Sequence, residues 1–176
     1  MALFGFLKSN KRPSIEDMMG KASQWTDYYM DHLALKQGAF IRGGMFVFTS
    51  WAVWDYCLRN DRIPKGDIAN EYIASTLVYS GFDRIMDPVD FLEVFRTRFK
   101  IFNADMTGLS NSHYPQTKQY IPYTTYCTIY QNQLSLTPTA GVDRQDYEIR
   151  EEVFDFTGGF IKYWNLLLKD LEKSYK

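Results

Sequence analysis

From Met45 to Trp54 the chain reads Met-Phe-Val-Phe-Thr-Ser-Trp-Ala-Val-Trp, with Arg42, Gly43 and Gly44 before it and Asp55 after it. A run of about ten residues falls well short of the roughly 20 that a bilayer requires, so it reads as a buried core segment. Continued to Arg59, the segment is apolar on every face: Met45, Phe46, Val47, Phe48, Trp51, Val53, Trp54, Tyr56 and Leu58 leave no polar stripe. A helix of that kind needs neighbours on all sides. The pattern therefore predicts a central helix over about residues 45–59, and the rest of the chain must surround it.

The surrounding segments carry apolar residues at helical spacing together with start and stop signals. Ser14, behind Pro13 and three residues before Asp17, makes a capping-box-like start, followed by Ile15, Met18, Met19, Ala22, Trp25, Tyr29 and Leu33. This first helix is expected to run to about Gln37 and stop at Gly38. Asp67 is expected to cap a third helix with Ala69, Tyr72, Ile73, Thr76 and Leu77 inward and Gly81 closing it in the left-handed conformation. Asp87, with Pro88 behind it and Asp90 third, opens a fourth, whose stripe is Phe91, Leu92, Phe95, Phe99, Phe102 and Met106, with Gly108 as its stop. Asp143, with Asp146 third, begins a last helix that turns Tyr147, Val153, Phe154, Phe160, Ile161, Trp164, Leu167, Leu168 and Leu171 inward. Gly158-Gly159, in the middle of that run, is expected as a kink or close-packing point.

The stretch from Met106 to Val142 differs in composition: Lys118 is its only Lys, Arg, Asp or Glu, and Tyr114, Tyr120, Tyr123, Tyr126 and Tyr130 crowd it. Helical spacing and strand alternation both fit residues 121–134. We read helix, because an isolated strand would leave its backbone groups without partners. The fold class is then all-α, a single irregular bundle of five to six helices around the 45–59 helix. Residues 1–12 form a short apolar and basic segment, and residues 13–176 form one helical domain. No internal repeat and no low-complexity tract occurs.

Charge narrows the function classes. Twenty Lys plus Arg against 21 Asp plus Glu give a formal net charge of −1, which lacks the footprint of a general nucleic-acid binder. Arg96, Arg98 and Lys100 cluster on the fourth helix, but Asp83, Asp87, Asp90 and Glu93 just upstream balance them. At the amino end the apolar patch from Ala2 to Leu7 precedes Lys8, Lys11 and Arg12, the reverse of the secretory order, so a cytoplasmic protein is expected. That patch would give marginal membrane-surface contact, and docking on the body of its own chain, or fraying, is the favoured reading. Cys57 and Cys127 read as two buried free thiols.

No stretch assembles a reaction centre. His32 and His113 are the two histidines, close Cys pairs are absent, and no Glu precedes a His by three residues, so neither a metal site nor another cofactor is expected. Asp27 and Asp31 lie one turn apart beside His32, a constellation that reads as a solvated helix face. Gly43-Gly44, before the central helix, is the one candidate phosphate cradle besides Gly158-Gly159. Without a following Lys and Ser/Thr it reads as a tight turn.

What remains is recognition. Tyr114, Tyr120, Tyr123, Tyr126 and Tyr130, with the acidic face Glu148, Glu151, Glu152 and Asp155 of the last helix, are the candidate partner-binding residues. Tyrosine offers large contact area at low entropic cost, and a row of like charges speeds encounter with a basic partner. The same tyrosines also fit a core edge, ring inside and hydroxyl at the water. The function expected is thus a non-enzymatic, cytosolic protein-binding module, an adaptor or immunity-protein-like neutraliser by analogy of size and type alone. The alternatives are a small-molecule or lipid binder with an aromatic-lined pocket between helices, and an enzyme whose site is assembled from distant residues. An apolar cavity walled by Phe and Trp would favour the ligand binder, and a well-filled bundle with tyrosine rings at its surface the partner-binding module.

Overall fold

The computed structural model describes residues 12–63, 68–111, 123–130 and 147–175. Among them the chain forms six α-helices and one 3-10 turn: α1 (Ile15–His32), α2 (Ala39–Arg59), α3 (Ala69–Ser80), the turn Phe82–Arg84, α4 (Pro88–Asn111), α5 (Tyr123–Tyr130) and α6 (Tyr147–Ser174). The described residues contain no strand, and the fold is an all-α bundle.

The local signals explain most of the helix ends. Ser14 and Asp17 form a full capping box, the Ser14 hydroxyl accepting from the Asp17 N–H at 3.1 Å and the Asp17 carboxylate from the Ser14 N–H at 2.9 Å. The Asp87 carboxylate accepts from the N–H groups of Val89 and Asp90 at 2.8 and 2.9 Å, starting α4 behind Pro88. Gly81, at φ 76°, closes α3 in the left-handed region. The end of α2 uses Asp61 at φ 51° in the same role, with Asp61 N–H donating to Leu58 C=O and Arg62 N–H to Cys57 C=O, a Schellman pair. Arg12 reaches across to this corner, donating to Ile63 C=O at 2.6 Å and pairing with Asp61 at 3.1 Å.

Four expectations need correction or qualification. First, α1 ends at His32 rather than near Gln37. Leu33 and Ala34 N–H both turn back to Tyr29 C=O, Gln37 Nε2 donates to the Met30 C=O, and Leu35 N–H donates to the Tyr130 hydroxyl. Three local bonds and one from distant chain, Leu35 to Tyr130, thus offset the helical bonds that residues 33–37 give up. Second, α2 starts at Ala39, so Gly43 and Gly44 are neither tight turn nor phosphate cradle but helix interior. Third, α4 runs through Gly108 to Asn111; a glycine alone costs a helix only about 1 kcal/mol and does not end it. Fourth, α6 runs unbroken through Gly158-Gly159 without the kink; a Cβ at Gly158 would meet nothing within 4 Å, whereas one at Gly159 would lie 3.6 Å from Leu33 O, so at Gly159 the helix does pack against the end of α1. Asp67 and Asp143, the expected starts of α3 and α6, lie outside the described residues.

α2 is the hub, as its all-apolar surface requires. Every residue from Gly43 to Val53 is buried, and the Phe48 ring packs within 4.9 to 6.4 Å of Trp51, Phe102, Phe160, Tyr163 and Trp164, drawing α4 and α6 onto it. The two glycines set how close other neighbours come. A Cβ at Gly43 would lie 2.8 Å from Ser80 O and 2.9 Å from the Phe82 ring, so α3 and the 3-10 turn press directly on α2 there. A Cβ at Gly44 would lie 3.3 Å from Ile129 Cα, which is where α5 seats. Buried hydroxyls add direction: Thr49 Oγ1 donates to Met45 C=O, meets Tyr163 Oη at 2.7 Å and lies 3.4 Å from Thr26 Oγ1. On the opposite flank Ser50 Oγ bonds Tyr72 Oη and Thr76 Oγ1 at 3.0 and 2.9 Å.

Candidate functional site

α3 runs antiparallel to α2. Gly43 faces Ser80, Ser50 bonds Tyr72 and Thr76, and the Trp54 ring packs on Tyr72 at 4.6 Å. The side chains between the two helices therefore grow from a bare Cα at one end to an indole and a phenol at the other. α3 thus lies against bare α2 backbone at its Ser80 end, with two rings between the helices toward its Ala69 end. α4 brings Phe95 and Phe99 to that end, their ring centroids 3.9 Å apart.

A cavity of about 310 Å³ opens there. Trp54 and Tyr72 form one wall, Phe95 and Phe99 the other, and Ile73 and Ala69 of α3 complete the lining. Tyr72 is held as a fixed floor: its ring is 1% exposed and its hydroxyl donates to Ser50 C=O at 2.7 Å. Burial raises the Tyr72 pKa, only partly offset by its Ser50 bond, so this hydroxyl stays neutral. Among the described residues Arg96 and Lys100, both exposed, bring the only charges to the lining. A second, larger cavity of about 550 Å³ lies between the carboxyl ends of α2 and α6, lined by Tyr56, Asn60, Arg62, Asn165, Leu168, Lys169, Glu172 and Tyr175. Its walls are largely long polar side chains that water satisfies, whereas the aromatic cavity offers water few partners.

Two buried charges on α4 escape a reading that places Arg and Asp at the surface. Arg98 is 1% exposed, its guanidinium 5.3 Å from the Phe82 ring centroid and its Nη1 3.6 Å from where a Gly44 Cβ would sit. Burial lowers its pKa to about 10, which still leaves a cation at neutral pH. Asp105 is 4% exposed and accepts from the N–H and the hydroxyl of Thr125, both at 2.7 Å. Thr125 is the third residue of α5, so an α4 side chain caps the amino end of α5 across the bundle. Burial pushes the Asp105 carboxyl up to about 6 against the opposing pull of the two Thr125 bonds. The sequence did carry a signal for both residues: Phe91, Phe95, Arg98, Phe102 and Asp105 step by four and three along one buried face.

The candidate partner-binding residues are only partly described. Tyr130 sits at a core edge, its hydroxyl 2.9 Å from Tyr29 Oη and its ring 5.7 Å from Phe156. Asp155 is exposed on α6. Tyr123 and Tyr126 belong to α5, and Glu148, Glu151 and Glu152 to the first turns of α6, but their side chains are outside the description; Tyr114, Tyr120, His113 and the amino-terminal patch are outside it altogether. Asp27 pairs with Arg42 at 2.7 Å, and Asp31 and His32 are exposed, as a solvated face requires. Cys57 is a buried free thiol whose pKa burial pushes up to about 12, Arg62 opposing slightly. Among the described residues no group of three or more His, Cys, Asp or Glu could hold a metal ion, and no helix is long and apolar enough to cross a membrane.

No protein-family model, curated protein or solved structure matches the chain.

Proposed function

We propose that this protein is a non-enzymatic binding protein that takes a small apolar molecule between α2, α3 and α4. One observation carries the reading: two aromatic walls, Trp54 with Tyr72 and Phe95 with Phe99, bound a cavity of about 310 Å³. That volume is at the lower end of the roughly 300–1,000 Å³ range of small-molecule sites. Among the described residues the lining supplies stacking and apolar contact and holds no Ser, Cys, His, Asp or Glu, which favours binding over proton or acyl transfer. A buried free thiol at Cys57 fits the cytoplasm as the compartment.

The test uses the uncharged dye N-phenylnaphthylamine, whose fluorescence rises on leaving water. Saturable binding to one site is expected, and Ala69→Phe, which fills the wide end of the cavity from an exposed helix position, should abolish it while leaving the circular dichroism and melting temperature unchanged. Absence of saturable binding, or undiminished binding by a folded Ala69→Phe, overturns the reading.

A second reading, docking of a partner protein by an adaptor or neutraliser, is favoured by a different feature. Val78, Tyr79, Ile85 and Val89 are 59%, 46%, 67% and 78% exposed around the α3 to α4 connection. A protein that co-purifies from native extract with the wild type and is lost with Ile85→Asp supports it; equal capture by both removes it.

A further inference from the structure

Resting on the cavity reading above, we infer that the molecule bound carries one anionic head group on its apolar body, a short-chain or ring-bearing carboxylate. Arg96 and Lys100 are four residues apart on α4, so they project from one face of that helix about one turn from each other. Both are exposed and both line the cavity whose depth is Tyr72, Phe95 and Phe99, so the positive charge lies toward water and the apolar walls lie inward. Among the described residues neither cation forms an ion pair, although Glu93 lies one turn before Arg96, and no acidic side chain lines the cavity.

An anion at this mouth gains the planar, two-pronged donor of Arg96 and the point charge of Lys100. Its tail displaces water from aromatic walls. A neutral molecule of the same tail gains only the second effect, and a cation is repelled at the mouth. The volume of about 310 Å³ takes one short chain or a fused ring pair, not the two acyl chains of a membrane lipid.

Calorimetric titration of the full chain with octanoate and with octanol separates head from tail. Octanoate is expected to bind about tenfold more tightly at low salt, the size expected of two partly exposed ion pairs, and the advantage should shrink as salt screens the mouth. The double variant Arg96→Gln, Lys100→Gln should lower octanoate affinity to that of octanol measured on the same variant. Equal affinity for both in the wild type, or an octanoate preference that survives in the folded double variant, overturns the inference while the cavity reading stands. If neither molecule binds, both fall. Thermal unfolding of the double variant reports its fold independently, and an unchanged melting temperature is expected of two exposed positions.

Discussion

Asp105 on α4 caps the amino end of α5 through Thr125, accepting from its N–H and its hydroxyl at 2.7 Å each. Because burial lifts this carboxyl to about 6 from 3.8, the folded chain holds the proton more tightly than the unfolded chain does. The resulting stability is present in full below about pH 4 and is lost as pH rises toward 6, an amount on the order of 2 to 3 kcal/mol. Asp105→Asn keeps an acceptor for Thr125 and removes the titration. The difference in urea midpoint between wild type and variant is therefore expected to change between pH 4 and 6 and to level off above. Parallel profiles across that window would show that Asp105 titrates normally.

Thr49→Val keeps the shape of the side chain and removes the hydroxyl that meets Tyr163 Oη at 2.7 Å. It should cost about 1 to 3 kcal/mol, because a buried phenol loses its partner. Adding Tyr163→Phe should return part of that loss, since both polar groups are then gone. Denaturant unfolding of the two single variants and the pair gives the coupling; strict additivity would mean that the contact does not matter.

Gly43→Ala drives a Cβ to 2.8 Å from Ser80 O, a backbone atom that cannot swing aside. A loss of about 1 to 3 kcal/mol is expected from overpacking. Gly20, in α1, has nothing within 4 Å of its Cβ position, and Gly20→Ala should gain about 0.5 to 1 kcal/mol from chain entropy. Scanning calorimetry checks both, with about 2 to 4 °C per kcal/mol in a chain of this size. Changes of the same sign would contradict the packing described.

Cys57 is buried, with its thiol pushed up to about 12, so almost no thiolate forms near neutrality. In a Cys127→Ser background, labelling by a disulfide-forming reagent at pH 8 is expected to proceed only as fast as the protein opens, and to speed up in urea. Rapid stoichiometric labelling of the folded protein would place the thiol at the surface.

Where sequence signals are local, they match the structure: the Ser14 and Asp17 box, the Asp87 cap behind Pro88, the left-handed Gly81 and the all-apolar α2 each depend on residues a few positions apart. The misplaced end of α1 depends on Tyr130, about a hundred residues away, whose hydroxyl takes the Leu35 N–H. No periodicity over residues 15–37 contains that information. Arg98 falls on the stepped buried face of α4, but a guanidinium there also needs the space that Gly44 leaves on another helix and the Phe82 ring beside it, which no spacing along α4 shows. In α6 the expected stripe ran through Phe160, Ile161, Leu167, Leu168 and Leu171, whereas the buried face also takes Phe156, Thr157 and Tyr163 and leaves Ile161 and Leu168 half-exposed. Tyr163 lies outside the expected stripe, and the buried partner its hydroxyl needs, Thr49, is on another helix. The cavity follows the same logic. Each lining residue is ordinary within its own helix, and only the order of small and large side chains along the α2 to α3 contact produces the space.

The pinch at Gly43 makes α3 a cantilever, clamped where Ser80 and Phe82 lean on bare backbone and loaded by rings farther out. The Ser50 bonds to Tyr72 and Thr76 hold its middle, so bending is confined to the first turn, at Ala69, where the aromatic chamber meets the surface. Amide exchange along α3 should accordingly slow from Tyr72 toward Ser80, a gradient that a uniformly protected helix would not show.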